Sequence, residues 1–261
     1  MRTAVIQLSA GSDAAVNRAE VRARLRAVGT DVDLVVLPEA TMVDFGPTDT
    51  DLAAVAEPLD GPFHDLLAQE ARRSGATIVA GTFERREADL PYNTLVVVGP
   101  DGGLRATYRK IHLYDSFGYR ESDRLSPGPV EPVVVDVGGV TVGLMTCYDL
   151  RFPELARALV DRGAELLLVP AAWVAGDGKV HHWRTLLAAR AIENTVHVVA
   201  AAQGGPRYSG HSLVVDPWGS IVEEAAHTAD ATLVADLDPA AVGAARRVNP
   251  SLDNRRIRSS S

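Results

Sequence analysis

VTVGLMTCYDLRFPELARALVDRGAELLLVP, residues 140–170, carries the pattern on which the fold turns. VTVGLMT (140–146) is an apolar run of strand length, and ELLLVP (165–170) is a second. Between them, Pro153 suits the first turn of a helix and Gly163 suits its stop, so the stretch reads strand, helix, strand. The turn that joins the first strand to the helix holds Cys147, the single cysteine of 261 residues.

The same alternation extends in both directions. Downstream come a helix around 180–195 and then VHVVAAA (196–202), GHSLVVD (210–216), GSIVEE (219–224) and ATLVADL (231–237); upstream lies VEPVVVDV (130–137). The first half has the same order, with strands TAVIQL (3–8), DLVVLP (33–38), ATIVAGTF (76–83), NTLVVVG (93–99) and LRATYR (104–109). Helices over 14–29 and 63–75 separate them, stopped by Gly29 and Gly75. Two halves that each alternate strand and helix before a run of strands predict a four-layer α/β/β/α sandwich, its sheets face to face and its helices outside. A doubly wound three-layer sheet ranks lower, because strands outnumber helices late in each half.

Composition sets the outer bounds. With 46% hydrophobic and 23% charged residues the chain can build a core, and its short apolar runs favour one domain over 1–261. A net charge of −8 argues against nucleic acid as partner and leaves small molecules. MRTAVIQLSA reads as a strand, not a secretory h-region, and no run approaches a membrane span, so the expectation is a cytoplasmic protein. One cysteine excludes an internal disulfide and thiolate zinc clusters. Only Lys110 and Lys179 among 26 basic residues are lysine, which marks places where a compact ammonium is wanted. From about residue 239 the arginine-rich tail is expected to be an extended arm, either solvated or packed on a partner subunit.

Three polar residues follow directly on three strands: Glu39 after LVVLP, Lys110 after LRATYR, and Cys147 after VTVGLMT. In open α/β folds the crevice beyond strand ends binds ligands. Their chemistry is complementary. A thiol attacks as thiolate, which a cation such as Lys110 and the N–H groups of a following helix would favour; Glu39 can take the proton and return it to a leaving amine. Each residue also has a plainer reading: Cys147 as core filler, Glu39 as a capping partner, Lys110 as a surface charge.

LPEA (37–40), YRKIHLYD (108–115) and MTCYDLRFPEL (145–155) resemble the three signature segments of the nitrilase superfamily of carbon-nitrogen hydrolases, and ESDRLSPG (121–128) and GHSLVVDPWG (210–219) extend the likeness. The resemblance implies a Glu-Lys-Cys triad of Glu39 as general base and acid, Lys110 as oxyanion stabiliser and Cys147 as nucleophile, with Glu121 as a second glutamate beside them. It also implies the four-layer sandwich, a homodimer or higher homo-oligomer, and chemistry without metal or cofactor. The signature segments most resemble those of small-amide hydrolases, the deaminated glutathione amidases and ω-amidases. The expected activity is that of a linear amidase on a carboxylate-bearing small amide, through a cysteine thioester. Tyr148, through its N–H, Arg151 and Trp173 are the candidate substrate contacts; for Arg151 a salt bridge within the turn, and for Trp173 core packing, are equally open. Rival readings are a carbamoyl or nitrile hydrolase, an N-acyltransferase, a thiol redox sensor, and a silent binding module of the same fold.

Overall fold

A computed structural model describes residues 1–87 and 89–257. The first half runs β1 (Arg2–Gln7), α1 (Ala14–Val28), β2 (Leu34–Val36), the short α2 (Leu52–Val55), α3 (Pro62–Ser74), β3 (Thr77–Glu84), β4 (Tyr92–Val98) and β5 (Leu104–Arg109). A small hairpin of β6 (Asp115–Ser116) and β7 (Tyr119–Arg120) leads into the second half. There follow β8 (Val134–Val137), β9 (Val140–Leu144), α4 (Pro153–Asp161), β10 (Leu166–Leu168), α5 (Lys179–Asn194), β11 (His197–Ala200), β12 (Leu213–Val215), β13 (Ile221–Glu224), β14 (Ala231–Asp236) and α6 (Pro239–Val248).

Two six-stranded sheets form, ordered β14-β1-β2-β3-β4-β5 and β13-β12-β11-β10-β9-β8. In each, three parallel strands are flanked by antiparallel ones. Strands covered on both faces call for apolar side chains along most of their length, which is why these runs show no polar alternation. Val5, Val36, Val79 and Leu95 of the first sheet share one core with Leu144, Leu168 and Val198 of the second. The opposite face of the first sheet, with Ala4, Ile6, Val35 and Ile78, packs on Leu25 of α1 and Leu66 and Ala71 of α3. Full burial of each such aliphatic side chain stabilises by about 1.5–3 kcal/mol. On the second sheet, a Cβ on Gly143 would lie 3.0 Å from the Cβ of Leu159, so its absence lets α4 sit against β9. The result is the expected four-layer sandwich.

Two expectations change. ATLVADL does not extend the second sheet: β14 crosses back and pairs antiparallel with β1, Arg2 opposite Asp236 and Gln7 opposite Ala231. Nor is the chain after 239 an extended arm. Asp238 accepts the N–H of Ala240, Pro239 occupies the first turn, and α6 buries Val242 and Ala245. Beyond it, Arg255 Nη1 donates to Asp161 Oδ2 of the same chain at 3.1 Å; Arg258–Ser261 lie outside the described residues. Among the described residues no helix is long and apolar enough to cross a membrane.

Candidate active site

Glu39 stands three residues past β2, on a loop strapped to β3. Leu37 donates to Val79 O, Gly81 to Pro38 O, and Thr41 to Gly81 O. Contact is so close that a Cβ on Gly81 would lie 2.6 Å from Glu39 Cα and from Ala40 N. Ala40 has φ +54°, a left-handed conformation that costs an alanine stability, and Gln203 holds it by donating Nε2 to Glu39 O (2.9 Å) and Ala40 O (3.2 Å).

Lys110 leaves β5 with its N–H on Asn93 O of β4 and its carbonyl accepting from Gly128 N. Its Nζ donates to Glu39 Oε1 at 2.9 Å and to Glu121 Oε2 at 2.8 Å. Asn93 Nδ2 also bridges the two carboxylates, at 2.7 Å to Glu39 and 3.0 Å to Glu121. The remaining oxygen of Glu39 accepts the N–H of Ala172 (2.6 Å), and Glu121 Oε2 accepts that of Tyr114 (2.6 Å). Lys110, Glu39 and Glu121 are 2%, 1% and 1% exposed, so this is a desolvated ion cluster and not surface charge. Burial disfavours the Lys110 charge, but Glu121 and Glu39 outweigh it and hold the ammonium well above the usual lysine range. Burial also raises the Glu121 carboxyl, with Lys110 pulling back and Glu39 adding to the rise.

Cys147 begins a 3-10 turn, Cys147–Arg151, at the end of the β9 segment. Its φ is +48°, and its N–H donates to Pro170 O at 3.0 Å, so the backbone turns sharply. The expectation of a thiol lowered toward thiolate is overturned. Burial pushes it well above the usual thiol range and Glu39 pushes it further, against the pull of Lys110. That direction favours the protonated thiol at rest.

Asp149, which sequence reasoning does not single out, is fully buried and accepts three hydrogen bonds beside a contact with an imidazole nitrogen. Oδ2 takes Tyr108 Oη (2.6 Å) and Thr146 N–H (2.9 Å); Oδ1 takes His112 N–H (3.1 Å) and faces His112 Nδ1 (2.7 Å).

Glu39, Lys110, Glu121 and Cys147 line one cavity of about 420 Å³. Tyr148, Arg151 and Trp173 line it too, so all the candidate residues converge. The Tyr148 ring meets Tyr114 edge-on at 5.0 Å. Trp173 serves both of its readings: 4% exposed, it packs beside Trp183 and still faces the cavity. The Arg151 guanidinium lies over the Trp173 ring (5.0 Å) and near His182 Nδ1 (3.5 Å), and among the described residues it pairs with no carboxylate. Lys179 was counted in the sequence but given no role. Its Nζ reaches the cavity 3.2 Å from Tyr114 Oη and over the Phe117 ring (4.1 Å), where burial and Arg151 lower its pKa. The scarcity of lysine was the available signal for it.

Comparison with known proteins gives the family. The carbon-nitrogen hydrolase family model matches residues 2–247. The chain is 42% identical over 242 residues to the deaminated glutathione amidase of Escherichia coli O157:H7, covering 92% of this chain and 91% of that one. It is 34% identical to the omega-amidase of Mus musculus, over 98% and 95% of the two chains. A carbon-nitrogen hydrolase superfamily protein from Xanthomonas campestris, solved with an arsenic adduct in its active site, superposes with a TM-score of 0.90 at 31% identity, over 100% and 99% of the chains. With its sandwich, its buried carboxylate-lysine cluster and its cysteine in one cavity, this chain belongs to the carbon-nitrogen hydrolase family of the nitrilase superfamily.

Proposed function

We propose that the chain hydrolyses a small linear amide bearing a carboxylate, with Cys147 as nucleophile. The observation that carries this reading is Lys110 held between Glu39 and Glu121 in the cavity that Cys147 lines.

Because the resting thiol is protonated, attack and proton transfer are coupled. Cys147 Sγ bonds to the amide carbon while its proton passes to Glu39. Lys110 and the N–H of Tyr148, which has no acceptor within its own 3-10 turn, stabilise the oxyanion. Collapse breaks the carbon–nitrogen bond, and Glu39 returns the proton so that ammonia leaves. A thioester remains. Glu39 then takes a proton from water, hydroxide adds to the thioester, and the carboxylic acid departs as the thiol is restored. Glu121 and Asn93 keep Lys110 and Glu39 in register throughout.

Arg151 and Lys179 support a carboxylate on the substrate away from the scissile amide, since both cations face the cavity and among the described residues neither pairs with an acidic side chain. The names of the relatives above point to the same class. The test is ammonia release from deaminated glutathione, α-ketoglutaramate and neutral aliphatic amides by the wild type and by Cys147→Ala. Release that vanishes in the variant supports the reading; release that survives ends it.

We also propose a cytoplasmic homodimer. Ile192 of α5 and Trp218 are half-exposed apolar side chains, which supports pairing, and a monomer in sedimentation would refute the dimer.

A further inference from the structure

Lys110 and Cys147 follow strands of different sheets, β5 and β9, so neither sheet's hydrogen bonding fixes the distance between them. Asp149 spans that gap. It binds residues on both sides of Lys110, through Tyr108 and His112, and the residue before Cys147, through Thr146. Tyr108 Oη also accepts the Ile111 N–H (3.3 Å), which ties the chain on either side of Lys110 to the same point. Cys147 sits at φ +48°, a conformation that persists only when its surroundings hold it. The Asp149 bond to Thr146 N–H is one such restraint.

Resting on the catalytic reading of Lys110 and Cys147, we propose that Asp149 is a positioning residue that sets the Lys110–Cys147 geometry by clamping the ends of two strands from separate sheets. It does not line the cavity and touches no reacting atom. A misplacement of about 1 Å at a reacting centre costs about 10²-fold in rate, which is the scale of effect expected from loosening the clamp.

Asp149→Asn keeps the shape but replaces one acceptor oxygen by a donor; Tyr108→Phe removes the 2.6 Å bond and changes no charge. Because Cys147 is the only cysteine, iodoacetamide alkylation followed by mass reports on it alone. The charged and titratable groups facing it, Glu39, Lys110, Glu121, Tyr114 and Lys179, are kept in both variants.

The sign of the alkylation change separates positioning from a simple field effect. Loss of the Asp149 charge alone would ease thiol ionisation and move the alkylation profile to lower pH. Loss of alignment with Lys110 removes the group that favours the thiolate and moves it to higher pH. Asp149→Asn is expected to shift the profile upward and to lower kcat about 10²-fold with KM within about twofold, because ground-state binding is kept. Tyr108→Phe should do the same to a smaller degree. A profile that stays or moves down in both variants, or an unchanged kcat in either, overturns the proposal; if Asp149→Asn does not fold, Tyr108→Phe alone decides. Failure of the catalytic reading looks different, since wild-type protein would then stay active after Cys147 is alkylated.

Discussion

The Nζ of Lys110 lies 2.9 Å from Oε1 of Glu39 with both side chains closed to water. An ion pair in such a place is strong only while it is complete. Its neighbour Glu121 makes the cluster one negative charge in excess when both carboxyls are ionised; burial first, and the Glu39 charge after it, make Glu121 hold its proton more tightly than a solvated glutamate, against the pull of Lys110.

Lys110→Met should therefore lose stability as well as activity. Two buried carboxylates left facing each other cost about 3–5 kcal/mol, measured as a fall in urea midpoint. Adding Glu121→Gln should recover part of that loss and none of the turnover, and equal stability of the single and double variants would contradict this account.

Stability should fall on the alkaline side. Folded Cys147 keeps its proton above the ordinary thiol value of 9.0, and folded Lys110 keeps its own above 10.5. In each window the native state binds more protons than the unfolded state, so unfolding free energy decreases as pH rises. Urea titrations from neutral pH upward should show the decline, and Cys147→Ala should weaken the limb that begins near 9.0.

Gly81→Ala places a methyl 2.6 Å from the backbone of Glu39 and Ala40. The expected cost is about 1–3 kcal/mol of stability from overpacking. Displacement of the Glu39 loop adds a fall in kcat of about 10²-fold, with KM little changed. Steady-state kinetics beside thermal melts test both.

Arg151→Met and Lys179→Met should raise KM for an anionic amide by about tenfold each, the value of about 1.4 kcal/mol from one lost charge-assisted contact. KM for a neutral aliphatic amide should stay within error. Equal effects on both substrates would remove the two cations from carboxylate recognition.

Glu39 and Cys147 were legible because each follows an apolar run that reports where a strand stops, and Lys110 because it follows the strand-like LRATYR and is one of only two lysines. Glu121 was not legible that way; it follows a two-stranded hairpin too short to leave a pattern, and only the resemblance singled it out. Asp149 and Gln203 escaped for another reason. Their partners lie up to 41 and 193 positions away in sequence, so nothing local distinguishes them from an ordinary turn aspartate and an ordinary loop glutamine. The protonated resting thiol was missed because its cause is burial, which the position of Lys110 in the sequence does not reveal. The helix after Asp238 was hidden by the arginines that follow it, although Asp238 and Pro239 together form a good helix start.

The return of β14 to pair with β1 has a consequence for synthesis. Until residues 231–236 leave the ribosome, β1 is an open edge of apolar residues with unpaired N–H and C=O groups, the kind of surface that invites another nascent chain. The first sheet thus contains β1 and is completed by β14, more than two hundred residues later. Closure over more than two hundred residues makes for slow folding, and until it happens a chain whose Glu39, Lys110 and Cys147 have all been translated still lacks one wall of the sheet that supports them.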